Sequence, residues 1–135
     1  MNNQENDPAA PAGATQAPAA YFTGVAWVRP LVPAGDPTDC VVSEVTFEPG
    51  ARNHWHSHPH GQVLVVTAGT GYYQEQGRPA QLLHPGDAVS IAPQLVHWHG
   101  AAPASRFTHL AINPRASQGL VEWRQPVTDA EYPAG

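Results

Sequence analysis

From Phe22 onward the chain alternates short apolar stretches with turn-forming residues. FTGVAWVRPLV (22–32), CVVSEVTF (40–47), QVLVVTA (62–68), GYYQEQ (71–76), AQLLH (80–84), AVSIA (88–92), VHWHGA (96–101) and SRFTHLAI (105–112) are separated by Gly, Pro and Asp. Runs of this length and spacing predict about eight strands in one antiparallel sandwich or barrel, an all-β fold. No helical periodicity of useful length competes; the one weak helix signal is Thr128, which can cap the segment TDAEY. Several strands are apolar on both faces. In QVLVVTA, Leu64, Val66 and Ala68 are expected to line the interior while Val63, Val65 and Thr67 face away, so a second layer must cover them. That layer is either the opposite sheet or a partner subunit.

Residues 1–20 are rich in Ala, Pro, Asn and Gln without periodicity and read as a disordered N-terminal extension. The barrel is expected over 21–115, and 116–135 as a C-terminal extension packing on it. With 135 residues there is room for one domain. The extension lacks the basic start and apolar stretch of a signal peptide, and no later run reaches the length of a membrane span, so a cytoplasmic location is the default expectation. The net charge of −5 is mild and the six basic residues are scattered arginines, which argues against nucleic-acid binding. Without any lysine, Schiff-base chemistry is excluded. The single Cys40, opening an apolar run, reads as a buried structural thiol.

The chemistry concentrates in GARNHWHSHPHGQVLVVTAG (50–69), which holds four of the eight histidines. Residues two apart on an extended strand share a face, so His56 and His58 can grip one divalent ion together. Pro59 and Gly61 interrupt the strand and fold the chain back. Gln62 then opens the returning strand, within reach of the same ion through its amide oxygen. A further candidate ligand is His97, after the AVSIA run and the turn at Pro93 and Gln94, with His99 on the same face. His54 and His60 read as rim residues and His84 as exposed. Trp55 and Trp98 alternate with the ligands and are expected to pack on the opposite face, between sheets or at a subunit contact.

The spacing Gly50-x5-His56-x-His58-x3-Gln62-x6-Gly69, followed by Gly86, Asp87, Pro93 and His97, resembles the two motifs of the cupins. Departures are Gln62 where cupins usually carry glutamate, Ala92 and Gln94 in place of proline and glycine, and Ala101 in place of asparagine. YFTG, VTFEPGAR, HPGDAV, HWHGAAP and THLAI are similar to the small bacterial manganese cupins that act as hydroxynitrile lyases, themselves similar to cupins associated with carboxymuconolactone decarboxylases. The resemblance implies a single-domain jelly-roll barrel. It implies one divalent ion per subunit, manganese first with iron, zinc and nickel as alternatives, held by His56, His58, His97 and Gln62. It also implies a homodimer or higher homo-oligomer.

A neutral amide in place of glutamate leaves the full charge of the ion expressed, which makes it a stronger Lewis acid. His109 and His99 are the candidate general acid and base, and the resemblance places histidines at both positions along the active site. Ser43, Val45 and Phe107 are the expected substrate-pocket residues; the first two share a face of CVVSEVTF. The function implied is cleavage or formation of the carbon–carbon bond of a cyanohydrin. A metal-dependent dioxygenase, or a small-molecule-binding cupin without turnover, are the alternatives, and oxygen dependence separates the first from the lyase.

Overall fold

The computed structural model describes residues 10–133. The strands run in chain order as β1 (Thr15–Gln16), β2 (Phe22–Thr23), β3 (Ala26–Val32), β4 (Val41–Phe47), β5 (Arg52–Asn53), β6 (His56–Ser57), β7 (Gln62–Gly69), β8 (Gly71–Glu75), β9 (Gln81–Leu83), β10 (Ala88–Ile91), β11 (His97–Ala101), β12 (Phe107–Asn113) and β13 (Glu122–Trp123). Each apolar run read from the sequence holds a strand. No α-helix occurs among the described residues. The helix signal at Thr128 resolves as a single turn. There Thr128 and Glu131 exchange side-chain-to-backbone hydrogen bonds (2.9 and 3.2 Å), and no apolar stripe follows to extend it.

All pairings are antiparallel and form two curled sheets. One has the order β1-β3-β4-β12-β7-β10. The other is β13-β6-β11-β5-β2, with β8 on the far side of β11 and β9 beyond it. Between the sheets lies a core of alternate inward residues, with Ala26, Phe47, Leu64, Val66, Tyr73 and Phe107 all at most 2% exposed. Burying such side chains stabilises the fold by about 1.5–3 kcal/mol each.

One irregularity shapes the site. β12 pairs His109 with Val66 but Thr108 with Ala68, a bulge that leaves Thr67 unmatched on β7. The extra residue inverts the alternation beyond it. Ala68 therefore joins Thr108 on the outer face and is exposed, which corrects its expected interior position, while His109 keeps its inward aim. At the end of β7 the chain turns through Gly69 (φ +71°), where an added Cβ would lie 1.7 Å from the Arg106 carbonyl oxygen.

The disorder expected over 1–20 does not hold from residue 10. Thr15 and Gln16 pair with Val28 and Trp27, and Ala17 is buried. Two residues suffice to cover the open edge of β3 but are too few to leave a periodic signal. Residues 1–9 lie outside those described. Cys40 is half-buried rather than buried, because it precedes β4 instead of lying within it.

Residues 116–133 form a strap that first joins the edge of the second sheet and then packs on its outer face. β13 pairs with β6, and Val127 packs with Trp55 and Trp98 in a separate cluster joined by Tyr132. The two tryptophans thus face away from the interior as expected, but this strap covers them. Arg52 anchors it: its guanidinium donates to the Val127 carbonyl (3.1 Å) and the Asp129 carboxylate (2.7 Å) and lies 4.5 Å above the Tyr132 ring.

Candidate metal centre and active-site cavity

β6 sits between β11 and β13, so His56 faces His97 on one side and Trp123 on the other. The ring centroids of His56 and His97 are 4.3 Å apart. His58, in the turn after β6, lies 4.9 Å from His56 and 5.3 Å from His97. All three imidazoles use Nδ1 in the same way. His56 donates to the His54 carbonyl (2.7 Å), His58 to that of Leu120 (2.6 Å) and His97 to that of Leu95 (2.8 Å). A carbonyl only accepts, so each Nδ1 carries the proton and each Nε2 keeps a lone pair.

Two of those lone pairs, and one amide oxygen beside them, lack partners. Nε2 of His58, Nε2 of His97 and Oε1 of Gln62 are buried without a hydrogen bond among the described residues. A buried acceptor left unpaired costs about 1–3 kcal/mol. Unpaired nitrogen and oxygen acceptors on neighbouring side chains are the donor set a divalent cation takes. Gln62 reaches there from the first position of β7, and its Nε2 donates to Oδ1 of Asn113 (3.0 Å). His56, His97 and His99 also bring one ligand nitrogen each to within 4.8 Å of one another, so a three-histidine metal site is available in the barrel.

His99 is engaged differently. Its Nδ1 lies 2.9 Å from Nε2 of His109, and the Asn53 amide nitrogen lies 3.2 Å from its ring. Asn53 also accepts the His99 backbone N–H (2.9 Å). Burial keeps all of these rings neutral. It pushes His97 and His109 down to about 4, and His56 and His99 well below the ordinary 6.5, with the neighbouring imidazoles adding to the effect for His56, His97 and His99. His58 is also lowered by burial, against the opposing effect of the Leu120 carbonyl and the Gln62 amide.

Beside the histidines opens a cavity of about 210 Å³. Its floor is formed by Ser43 and Val45 of β4, with Val28, Val41 and Ala111 beside them; His56, His58, Gln62 and His99 supply the polar wall. Leu120, Val121 and Trp123 of the strap close it. The Trp123 ring lies 4.8 Å from His56 and stacks on Tyr21 at 4.7 Å. An apolar cavity of about 150 Å³ admits benzene. This one is larger, about 210 Å³, with polar groups along one side.

Ser43 and Val45 line this cavity, and Phe107 does not. Phe107 is 0% exposed and packs on Phe47 and His109, because the four inward residues of β12, Phe107, His109, Ala111 and Asn113, follow one another along the strand and only the last two line the cavity. His54 is buried rather than at a rim, its backbone N–H tied to the Tyr21 carbonyl, and it does not line the cavity. His60 is half-buried and His84 exposed. Asn53, Asn113 and the strap residues were not identified from the sequence. Asn113 shares the parity of His109 and Ala111, so alternation along β12 points to it; nothing local points to the strap.

A family profile for the cupin domain matches residues 43–112. The chain belongs to the cupin family. It is 50% identical over 115 residues to an (R)-mandelonitrile lyase of Granulicella tundricola, a match spanning 85% of this cupin and 88% of that protein. A cupin-like protein of Thermotoga maritima, known from its crystal structure, superposes with a TM-score of 0.85 at 48% identity. That match covers 87% of this chain and 90% of the other. A DMSP lyase of Ruegeria pomeroyi shares the fold at a TM-score of 0.64 and 20% identity, covering 81% of this chain and 54% of its own. Within the cupin fold, the departure at Gln94 has a visible cost. Gln94 adopts φ +68°, the left-handed conformation that glycine takes without strain.

Proposed function

We propose that this cupin is a metal-dependent hydroxynitrile lyase that cleaves or forms the carbon–carbon bond of an aryl or alkyl cyanohydrin. The observation that carries the reading is the set of unpaired acceptors, His58 Nε2, His97 Nε2 and Gln62 Oε1, beside a cavity of matching size. The 50% identical mandelonitrile lyase supports the choice of reaction. His56, His58, His97 and Gln62 would hold the ion, with manganese as the first choice by the resemblance to the manganese cupins; the imidazoles themselves suit iron, zinc and nickel as well. When bound, the ion supplies Lewis acidity that lowers the pKa of a substrate hydroxyl.

The protein's own residues do the rest. The apolar floor receives the aryl or alkyl group and keeps bulk water out. His99 takes the hydroxyl proton while the electron pair of the carbon–carbon bond leaves with cyanide and the carbonyl forms. The 2.9 Å contact lets His109 share the positive charge that His99 acquires. The same proton then returns to cyanide, so no net proton is gained or lost. General acid–base assistance of this kind contributes about 10²–10⁴-fold.

The half-buried apolar residues on the outer face of the first sheet, Val42, Val63, Val65, Leu110 and Ile112, support a homodimer formed there. Cytoplasmic residence is consistent with the absence, among the described residues, of a helix long and apolar enough to cross a membrane.

The test is benzaldehyde release from mandelonitrile by manganese-loaded protein under anaerobic conditions, corrected for spontaneous decay and compared with His58→Ala. Release that needs the metal and His58 but not oxygen is the expected result. No release above background overturns the reading.

A further inference from the structure

We infer that Asn113 is a positioning residue that locks the Gln62 amide with its oxygen toward the metal centre. The inference rests on Gln62 being a ligand, as proposed above. It begins at a group whose polarity is fixed, the backbone carbonyl of Val41, which can only accept. Asn113 lies directly across from Val41 in the β4–β12 ladder, and its Nδ2 reaches that carbonyl at 3.5 Å. Of the two ends of the Asn113 amide, the donating one is thereby turned to the strand and the accepting Oδ1 to the cavity. Oδ1 then takes the hydrogen bond from Gln62 Nε2 at 3.0 Å. A side-chain amide has two ends, so fixing its nitrogen fixes its oxygen as well. Gln62 Oε1 is left buried and unpaired beside His58.

The sense of the chain matters because an amide ligates through oxygen and not through its NH2 group. A free Gln62 side chain can rotate by half a turn and present two N–H donors to the cation. A glutamate has no wrong end; a glutamine does. The replacement of the usual carboxylate by Gln62 therefore creates a need for orientation, and Asn113, 51 residues away in sequence, meets it.

The experiment is manganese titration followed by electron paramagnetic resonance of the free ion. It compares the wild type, Asn113→Leu, Asn113→Asp, Gln62→Ala and the double variant Gln62→Ala/Asn113→Leu, each checked for folding by circular dichroism. Partners of this kind typically alter metal affinity about 10–100-fold when removed. Asn113→Leu is expected to weaken manganese binding by at least about tenfold. Asn113→Asp, which still accepts from Gln62 Nε2, is expected to retain it, and in the Gln62→Ala background Asn113→Leu should add nothing. Unchanged affinity in Asn113→Leu, or an equal loss with and without Gln62, overturns the inference while leaving the ligand set intact. Unchanged affinity in Gln62→Ala instead overturns the ligand assignment itself. Failure of Asn113→Leu to fold leaves the decision to Asn113→Asp, where a tenfold loss counts against the lock.

Discussion

His99 Nδ1 and His109 Nε2 meet at 2.9 Å, and the bond joins the two sheets, His99 standing on β11 and His109 on β12. Only His99 also reaches the cavity. Under the proposed reaction the two histidines have unequal roles: His99, which lines the cavity, would meet the substrate, and His109 would act through it. His99→Asn is expected to lower kcat for mandelonitrile cleavage by about 10²–10⁴-fold. His109→Phe should lower it less and shift the pH profile of kcat. Equal losses with unshifted profiles would contradict this division.

Acid should unfold the metal-free protein through its buried histidines. His97 and His109 are held down to about 4 in the fold, against an ordinary value of 6.5 in the unfolded chain. Above 6.5 neither state binds the proton and stability is fully present. Between those values the unfolded chain binds more protons, so stability falls as pH falls, by up to about 1.4 kcal/mol per pH unit for each histidine. Urea midpoints between pH 7.5 and pH 4.5 measure the slope, and His109→Phe should flatten it.

Gln62→Glu is expected to bind manganese more tightly and to turn over about tenfold more slowly, because the carboxylate neutralises part of the charge that activates the hydroxyl. The variant also loses the Gln62 donor to Asn113, leaving two acceptors facing each other, at a cost of about 1–3 kcal/mol in the metal-free state. Undiminished kcat with unchanged thermal stability would argue against both points.

Trp123→Ala opens the cavity. The ring contacts His56 and stacks on Tyr21, so the variant should lose about 1–3 kcal/mol of stability and raise KM more than it lowers kcat. Steady-state kinetics across a series of cyanohydrins checks this. A change confined to kcat would place the ring in the chemistry instead of the enclosure.

The parts legible in the sequence are those with a local period. Alternation along CVVSEVTF and the His-x-His spacing place Ser43, Val45, His56 and His58 on inward faces, and the run pattern gives an all-β fold. Position along a strand carries no information about depth, which is why Phe107 reads like a pocket residue but lies below it. A bulge is invisible to a period of two, so Ala68 is assigned to the wrong face. The strap escapes altogether: Leu120 and Trp123 reach the site through pairings such as β13 with β6, which depend on the completed sheet.

The same distances in sequence govern how the site comes into being. His58 is tied to a carbonyl 62 residues away, Gln62 to a side chain 51 away, and Arg52 to Asp129 across 77. Contacts of such separation form late and slowly, since the entropy of closing long loops must be overcome before they stabilise anything. Three of the four proposed ligands, His56, His58 and Gln62, lie within seven residues, but His97 and the Leu120 carbonyl that orients His58 join them only through the completed fold. The His-x-His segment is therefore present in the nascent chain, and under the proposed assignment the full ligand set is assembled only when the barrel has closed.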